Sequence, residues 1–343
     1  MFILCQPGAE PALKRELALL EPGWAAAYQR PGLVTFRSDR PLTPDSTLRS
    51  VFARQYGVSL GNVSAGDVAA VSDALVPLTE AVCLQVAERA PEEPDRSEPS
   101  ERIRVLEAEL RLRCASQLTA TARAEPGQLV LSVIVGEDPT WLLGLHRHGI
   151  THSPYPGGRA PIALPSDSPS RAYLKIEEAI ARYDLPLKAG DTALEIGAAP
   201  GGAAYALVRR GVSVLAVDPA AMDPRVLAFQ GPRAARVTHL ACAVGELKRD
   251  QLPARVEWLL LDVHLAPQVA LRAARRLASL YKSTLLGAVL TLKLNDWRFA
   301  DRVPAFLAQA REMGLVEPEA KQLVSHRQEL AIVGLTARGR TRV

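Results

Sequence analysis

Only seven of the chain's 41 basic residues are lysines, and two of these fall in apolar surroundings. Lys175 lies in AYLKIEEAI, and Lys293 ends the apolar run AVLTLK. Two acids stand in comparable places: Asp262 ends EWLLLD, and Glu329 opens ELAIVG. Two lysines and two carboxylates, if they meet, suit removal of a proton from a weakly acidic hydroxyl such as that of a sugar. A lysine begins near pKa ~10.4, and burial beside another cation lowers it and frees a lone pair. The carboxylates would orient the amines and keep the group near neutral.

Whether the four meet depends on the elements that carry them. After residue 170 the pattern alternates helix and strand: a helix over 170–183, then strands TALEIGA, VSVLAVD, VTHLAC, EWLLLD, AVLTLK and QELAIVGL with helical stretches between several of them. Near-continuous apolar strands with helical crossovers imply an α/β fold with a doubly wound, mostly parallel sheet. Strand C-termini then converge on the ligand crevice, which brings Asp262 and Lys293 together. The preceding helix can deliver Lys175 to the same rim. Glu329 arrives there only if its strand runs antiparallel.

The first of these strands ends in a small-residue turn, Gly197-Ala198-Ala199-Pro200-Gly201-Gly202, which opens a helix. Small residues let a ligand approach the backbone, and the helix start offers free N–H groups. Asp218 ends the next strand, 21 residues beyond Gly197, where a carboxylate accepts ribose hydroxyls. The dinucleotide fingerprint GxGxxG is not met. This favours a nucleoside carrying an amino-acid tail, such as S-adenosylmethionine. The candidate cofactor contacts are Glu195, Gly197, Ala198, Pro200, Gly201, Gly202, Asp218 and Asp262.

Composition sets wider limits. The 343 residues are 48% hydrophobic and 23% charged, which excludes a mainly disordered or collagen-like chain. No apolar run reaches the ~18 residues of a membrane helix, and MFILCQPGAE lacks the basic start of a signal peptide. Four scattered cysteines suggest neither a disulfide framework nor a thiolate metal site. A cytoplasmic protein is expected, with no membrane or DNA partner. Residues 1–150 hold 15 basic and 19 acidic side chains, the remainder 26 and 18, so the second part suits a polyanionic partner. FILC, GLVTFRS and LVLSVIV read as strands, AEPALKRELALL as a helix, and 90–101 as an exposed acidic loop. Residues 151–170 carry Pro154, Pro156, Pro161, Pro165 and Pro169 and read as a linker or strap. The expected division is 1–57, 58–150, the linker 151–170, and 171–343.

SPSRAYLKIEEA (168–179), EIGAAPGGAAYALVRRGVSVLAVD (195–218), LLLDVHLAP (259–267), LTLKLNDW (290–297) and EAKQLVSHRQELAIVG (319–334) together resemble the FtsJ-like ribose 2′-O-methyltransferases. Within these they are most similar to the RlmM type, which acts on a cytidine of 23S ribosomal RNA. The match covers most of residues 165–335. The resemblance implies a Rossmann-like class I methyltransferase domain with a mostly parallel seven-stranded sheet, and S-adenosylmethionine as cofactor. It also implies a K-D-K-E tetrad at Lys175, Asp262, Lys293 and Glu329. Lys293 is then the expected general base, Asp262 and Lys175 position it and the hydroxyl, and Glu329 completes the network. FILCQPGAEPALKREL is similar to the family's opening, which implies α+β ferredoxin-like and THUMP-like domains over 1–57 and 58–150. The expected partner is RNA, 23S ribosomal RNA or its precursor. A transfer-RNA methyltransferase and an inactive RNA-binding relative are the alternatives. Two departures stand out: Ala203 replaces an aromatic residue, and Cys242-Ala243-Val244 lack the acid that contacts the adenine.

Arg159, Arg171, Tyr173, Trp297 and Arg298 interleave cations with aromatics, the combination that holds an extruded nucleotide, and are candidates for the RNA path. Gly57-Val58-Ser59-Leu60-Gly61 matches GxSxG but lacks the buried strand and following helix of a nucleophile elbow. His146, His148 and His152 read as polar loop positions, and no metal is expected.

Overall fold

The computed structural model describes residues 1–91 and 98–342, and the chain forms two compact units, Met1–Ala163 and Leu164–Val343. The expected loop over 90–101 lies, for residues 92–97, outside the described residues.

The first unit runs β1 (Phe2–Leu4), α1 (Glu10–Leu20), β2 (Trp24–Arg30), β3 (Leu33–Ser38), β4 (Gln55–Ser64), α2 (Val68–Asp73), β5 (Cys83–Glu88), α3 (Glu101–Arg113), β6 (Leu129–Val135) and β7 (Thr140–Arg147). Its described strands form one sheet in the order β2-β3-β1-β4-β7-β6-β5, in which only β5 and β6, among these, are parallel. The expected boundary at 57/58 falls inside β4. Gln55–Gly57 pair with β1, and Val58–Ser64 pair with β7. The GxSxG run is therefore strand, with a register shift between Ser59 and Gly61, and no elbow forms. Apolar faces of α2 and α3 (Val68, Val71, Ile103, Leu106, Leu110) bury against Leu84, Val86, Leu131, Val133, Leu143 and Leu145. Burial of such side chains contributes about 1.5–3 kcal/mol each.

The start of the proline-rich segment is fixed to this sheet. Gln85 Nε2 donates to the Pro154 carbonyl (2.9 Å), and the Gly157 amide donates to Gln55 Oε1 (2.9 Å). The three histidines expected in a polar loop are instead buried, with exposures of 1%, 8% and 6% for His146, His148 and His152. His146 belongs to β7, and the segment folds back so that the His152 ring stacks on it at 4.3 Å.

The second unit runs α4 (Ala172–Tyr183), β8 (Thr192–Ile196), α5 (Gly202–Arg209), β9 (Ser213–Val217), α6 (Pro224–Ala228), β10 (Val237–Leu240), β11 (Trp258–Asp262), α7 (Pro267–Leu280), β12 (Gly287–Lys293), α8 (Val303–Glu312), β13 (Leu315–Lys321), β14 (Glu329–Thr336) and α9 (Ala337–Arg340). The sheet order is β10-β9-β8-β11-β12-β14-β13, and β14 alone runs against the other six strands. β11 and β12 are almost wholly buried, as their apolar runs require. The strand β13 has no counterpart in the sequence reading. Its run LVEPEAK is broken by Pro318 and by Glu317 at φ +48°, where the register with β14 shifts. A bulged edge strand tolerates such a proline. Among the described residues no helix is long and apolar enough to cross a membrane.

Candidate active site

Register places three of the four chemical residues. Asp262, the last residue of β11, pairs with Thr291 of β12. Lys293 lies two residues further along β12, on the same face, so it is the diagonal neighbour of Asp262. Lys293 also pairs directly with Glu329, the first residue of the antiparallel strand β14. Lys175 comes from α4, on which Leu174, Glu178 and Ala179 are buried.

The four side chains close a ring. Lys175 Nζ donates to Asp262 Oδ2 at 2.8 Å and to Glu329 Oε2 at 2.6 Å. Lys293 Nζ stands 2.8 Å from Asp262 Oδ1 and 3.2 Å from Glu329 Oε2. Each acid thus bridges both amines, and the two positive and two negative charges balance. All four side chains are between 11% and 21% exposed, so solvent screens them little.

Electrostatics here run against one expectation. Burial acts to lower the Lys293 ammonium, but Asp262 and then Glu329 outweigh it and hold its pKa above the ordinary value. The neighbouring cation does not push it down, because both carboxylates lie between the two amines. Burial works to raise the Asp262 carboxyl, and Lys175 and Lys293 together hold it below its usual range. Glu329 behaves alike: burial opposes, and Lys175 with His326 prevails.

The ring faces a cleft of about 620 Å³ at the C-terminal edge of the parallel strands. Lys175, Gly197, Pro200, Asp218, Asp262, Lys293, Glu329 and Arg171 line it, together with the unanticipated Ala199, His264 and Arg327. Cys242, Ala243 and Val244, where the adenine-contact acid is missing, form part of the same wall. Asp218 Oδ2 accepts the Ala199 amide (3.1 Å) and Oδ1 accepts the Ala220 amide (2.8 Å). Each oxygen keeps a lone pair for a ligand hydroxyl.

The turn's glycines also have steric tasks of their own. Gly197 holds φ +80°, and a Cβ there would stand 2.2 Å from the Asp262 carbonyl oxygen, so this glycine lets β8 pass its neighbour. Gly202 serves helix packing: a Cβ would meet Ser170 Oγ at 2.3 Å. Neither Gly201, Gly202, Ala198 nor Glu195 lies on the cleft wall. Glu195 is 2% exposed behind the turn, with Oε2 unpartnered among the described residues, and burial pushes its carboxyl well up, aided by Asp262 and Asp218.

Tyr173 is corrected from the RNA path: it is buried, 9% exposed, with its ring 6.3 Å from that of Tyr205. Trp297 and Arg298 open the short helical turn after β12, off the cleft wall, where Arg298 Nε donates to Asp296 Oδ2 (2.7 Å). Arg159 belongs to the first unit.

Two residues that carry the site escaped the sequence reading. Glu178, one turn beyond Lys175 on α4, accepts from the Val324 amide (2.7 Å), the Ser325 amide (2.9 Å) and the Ser325 hydroxyl (2.8 Å). It pins the loop that leads into Glu329. His326, 1% exposed, lies in that loop and accepts the Leu323 amide on Nδ1 (3.2 Å). Spacing on the helix offers a signal for Glu178, since it shares a face with Lys175. No signal marks His326.

Comparison with known proteins agrees with this geometry. Residues 169–296 match the FtsJ-like methyltransferase family. Ribosomal RNA large subunit methyltransferase M of Hahella chejuensis is 28% identical over 98% of this chain and 90% of its own. The protein of that name from Chromohalobacter salexigens is 30% identical over 76% of each chain. The one from Tolumonas auensis is 30% identical over 64% of each. With 30% identity over 76% of each chain to one of these relatives, and the FtsJ-like match over the sheet that carries the charged ring, the chain belongs to the ribosomal RNA large subunit methyltransferase M family.

Proposed function

We propose that this chain transfers a methyl group from S-adenosylmethionine to the 2′-hydroxyl of a cytidine in 23S ribosomal RNA. The observation that carries the reading is the closed Lys175–Asp262–Lys293–Glu329 ring beside the cleft. The cleft suits the cofactor: Asp218 has lone pairs for ribose hydroxyls, and Ile196, Val217, Val244 and Val263 offer apolar wall for a base. When bound, the cofactor supplies an electrophilic methyl on a cationic sulfur.

Lys293 takes the proton of the 2′-hydroxyl. As an ammonium held by two carboxylates it must first lose its own proton, which sets the pH dependence of the reaction. Asp262 and Glu329 fix the amine's direction, and Lys175, tied to the same two acids, restrains them from the other side. Holding nucleophile and base in line accounts for much of the rate. Arg171 and Arg327 on the cleft rim suit phosphate contacts, with Arg159, Trp297 and Arg298 as further RNA contacts. In the first unit, the halves on either side of residue 57 correspond to ferredoxin-like and THUMP-like RNA-binding domains. A cytoplasmic location fits such a substrate.

The test uses the purified chain, tritiated S-adenosylmethionine and ribosomal RNA from a strain lacking the enzyme, with the label mapped by nuclease digestion and nucleoside mass spectrometry. One 2′-O-methylated cytidine in 23S RNA is expected. Label in transfer RNA alone would reassign the substrate.

A further inference from the structure

His146, His148 and His152 belong to the first unit, and the charged ring belongs to the second; the three ligand nitrogens all fall within 4.8 Å of one another. His146 is 1% exposed, and among the described residues neither Nδ1 nor Nε2 of its ring has a hydrogen-bond partner. Nδ1 of His148, 8% exposed, has none either. A buried polar atom without a partner costs about 1–3 kcal/mol and calls for an explanation. Here three such atoms sit on two neighbouring rings.

We propose that these three histidines bind one divalent transition-metal ion of the zinc class. Imidazole nitrogen is a borderline donor suited to zinc, nickel, cobalt or copper, and calcium and magnesium prefer oxygen. Three protein nitrogens with a fourth position left for water match a common zinc arrangement. Zinc–nitrogen bonds of about 2.0–2.1 Å put tetrahedral ligand atoms about 3.3 Å apart, so the rings must close by at most about 1.5 Å. The His152 ring must also turn out of its stack on His146, because rings only 17° from parallel cannot both aim in-plane lone pairs at one ion; side-chain torsions of His148 and His152, on the segment beyond β7, supply both movements.

The position gives the ion a structural task. His146 is the penultimate residue of β7, and His152 lies at the start of the proline-rich segment, its ring stacked on Tyr56 at 4.2 Å and on His146 at 4.3 Å. Pro154 and Gly157 hold the next few residues to Gln85 and Gln55. A metal joining residues 146, 148 and 152 locks the root of that segment onto β7.

The experiment uses the full, tag-free chain stripped with chelator and titrated with zinc by calorimetry, then with cobalt by visible absorption. One equivalent should bind, the cobalt form should show the strong visible bands of a low-coordinate ion, and zinc should raise the unfolding temperature. His146→Phe keeps the stacked ring and volume. It should weaken zinc binding by more than the roughly 10- to 100-fold that loss of a mere supporting partner brings, and abolish the thermal shift. His148→Gln, checked for folding by circular dichroism, should do the same. Failure of the stripped chain to take up zinc would overturn the proposal, as would equal binding by both variants.

Discussion

Lys293 and Glu329 are register partners across the antiparallel pair β12–β14, and their charged ends stand 3.2 Å apart. That pairing requires the one reversed strand of the sheet. Were β14 parallel, its first residue would lie at the opposite edge, and Lys293 would keep only Asp262. The reversal therefore assembles the second carboxylate that raises the Lys293 ammonium.

A base with a raised pKa has a recognisable rate profile. Only the neutral amine accepts a proton, and its fraction grows tenfold per pH unit below its pKa. The single-turnover rate of methyl transfer should rise with unit slope from neutral pH upward, without a plateau in the range 7–9. Lys293→Ala should lower the rate by about 10²–10⁴-fold, with cofactor affinity nearly unchanged. Lys293→Arg keeps the charge but cannot give up its proton, and should be as slow. A flat profile together with an active arginine variant would show that Lys293 serves only as a charge.

Glu178 offers a test of how the site is held. Its carboxylate satisfies two buried backbone amides and a hydroxyl at Val324 and Ser325. Glu178→Ala leaves those donors buried and unpaired, at about 1–3 kcal/mol. Because the loop leads to Glu329, transfer should slow as well, and Glu178→Gln, which keeps an acceptor, should recover part of both losses. Chemical denaturation and methyl-transfer rates on the same samples read this out. A stable but inactive Glu178→Ala would mean that Glu178 acts in the chemistry itself.

Asp218 separates cofactor binding from catalysis. Its oxygens accept two backbone amides and keep lone pairs toward the cleft. Asp218→Ala should weaken S-adenosylmethionine binding in calorimetry by about tenfold or more, since hydrogen bonds to a charged group contribute about 1.5–3 kcal/mol. The rate at saturating cofactor should change little. Unaltered affinity would place the ribose elsewhere.

Much of the second unit is legible in the sequence, because its strands are apolar runs ended by a single charged residue. EWLLLD and AVLTLK announce both the strand and the side chain at its rim. What escaped depends on partners distant along the chain. LVEPEAK hides a strand behind Pro318, which only an edge position tolerates. Helix spacing puts Glu178 on the face of Lys175, but the amides it holds lie 146 and 147 residues away, beyond any local pattern. The direction of the Lys293 shift turns on the carboxylates lying between the two amines, a matter of register and not of composition. The buried histidines were concealed by their loop-like neighbours, because a proline-rich segment can still fold down on a sheet. The Gly201-Gly202 pair shows the converse: a ligand-turn pattern whose Gly202 answers to Ser170 of its own unit.

His326 yields a stability prediction with a definite sign. Burial lowers its pKa from 6.5 to about 4, so the folded chain keeps the ring neutral where an unfolded one takes up a proton. As pH falls from 6.5 toward 4, the unfolded state binds more protons, and folding stability declines. Above 6.5 the effect vanishes. The shift corresponds to about 3 kcal/mol at most. His326→Asn retains an acceptor for the Leu323 amide and removes the titration, so its stability should fall less over that interval. Urea denaturation of both proteins between pH 4 and 7 measures the difference. Parallel curves would mean that the ring is protonated in the folded state, paired with Glu329 rather than held neutral beside it.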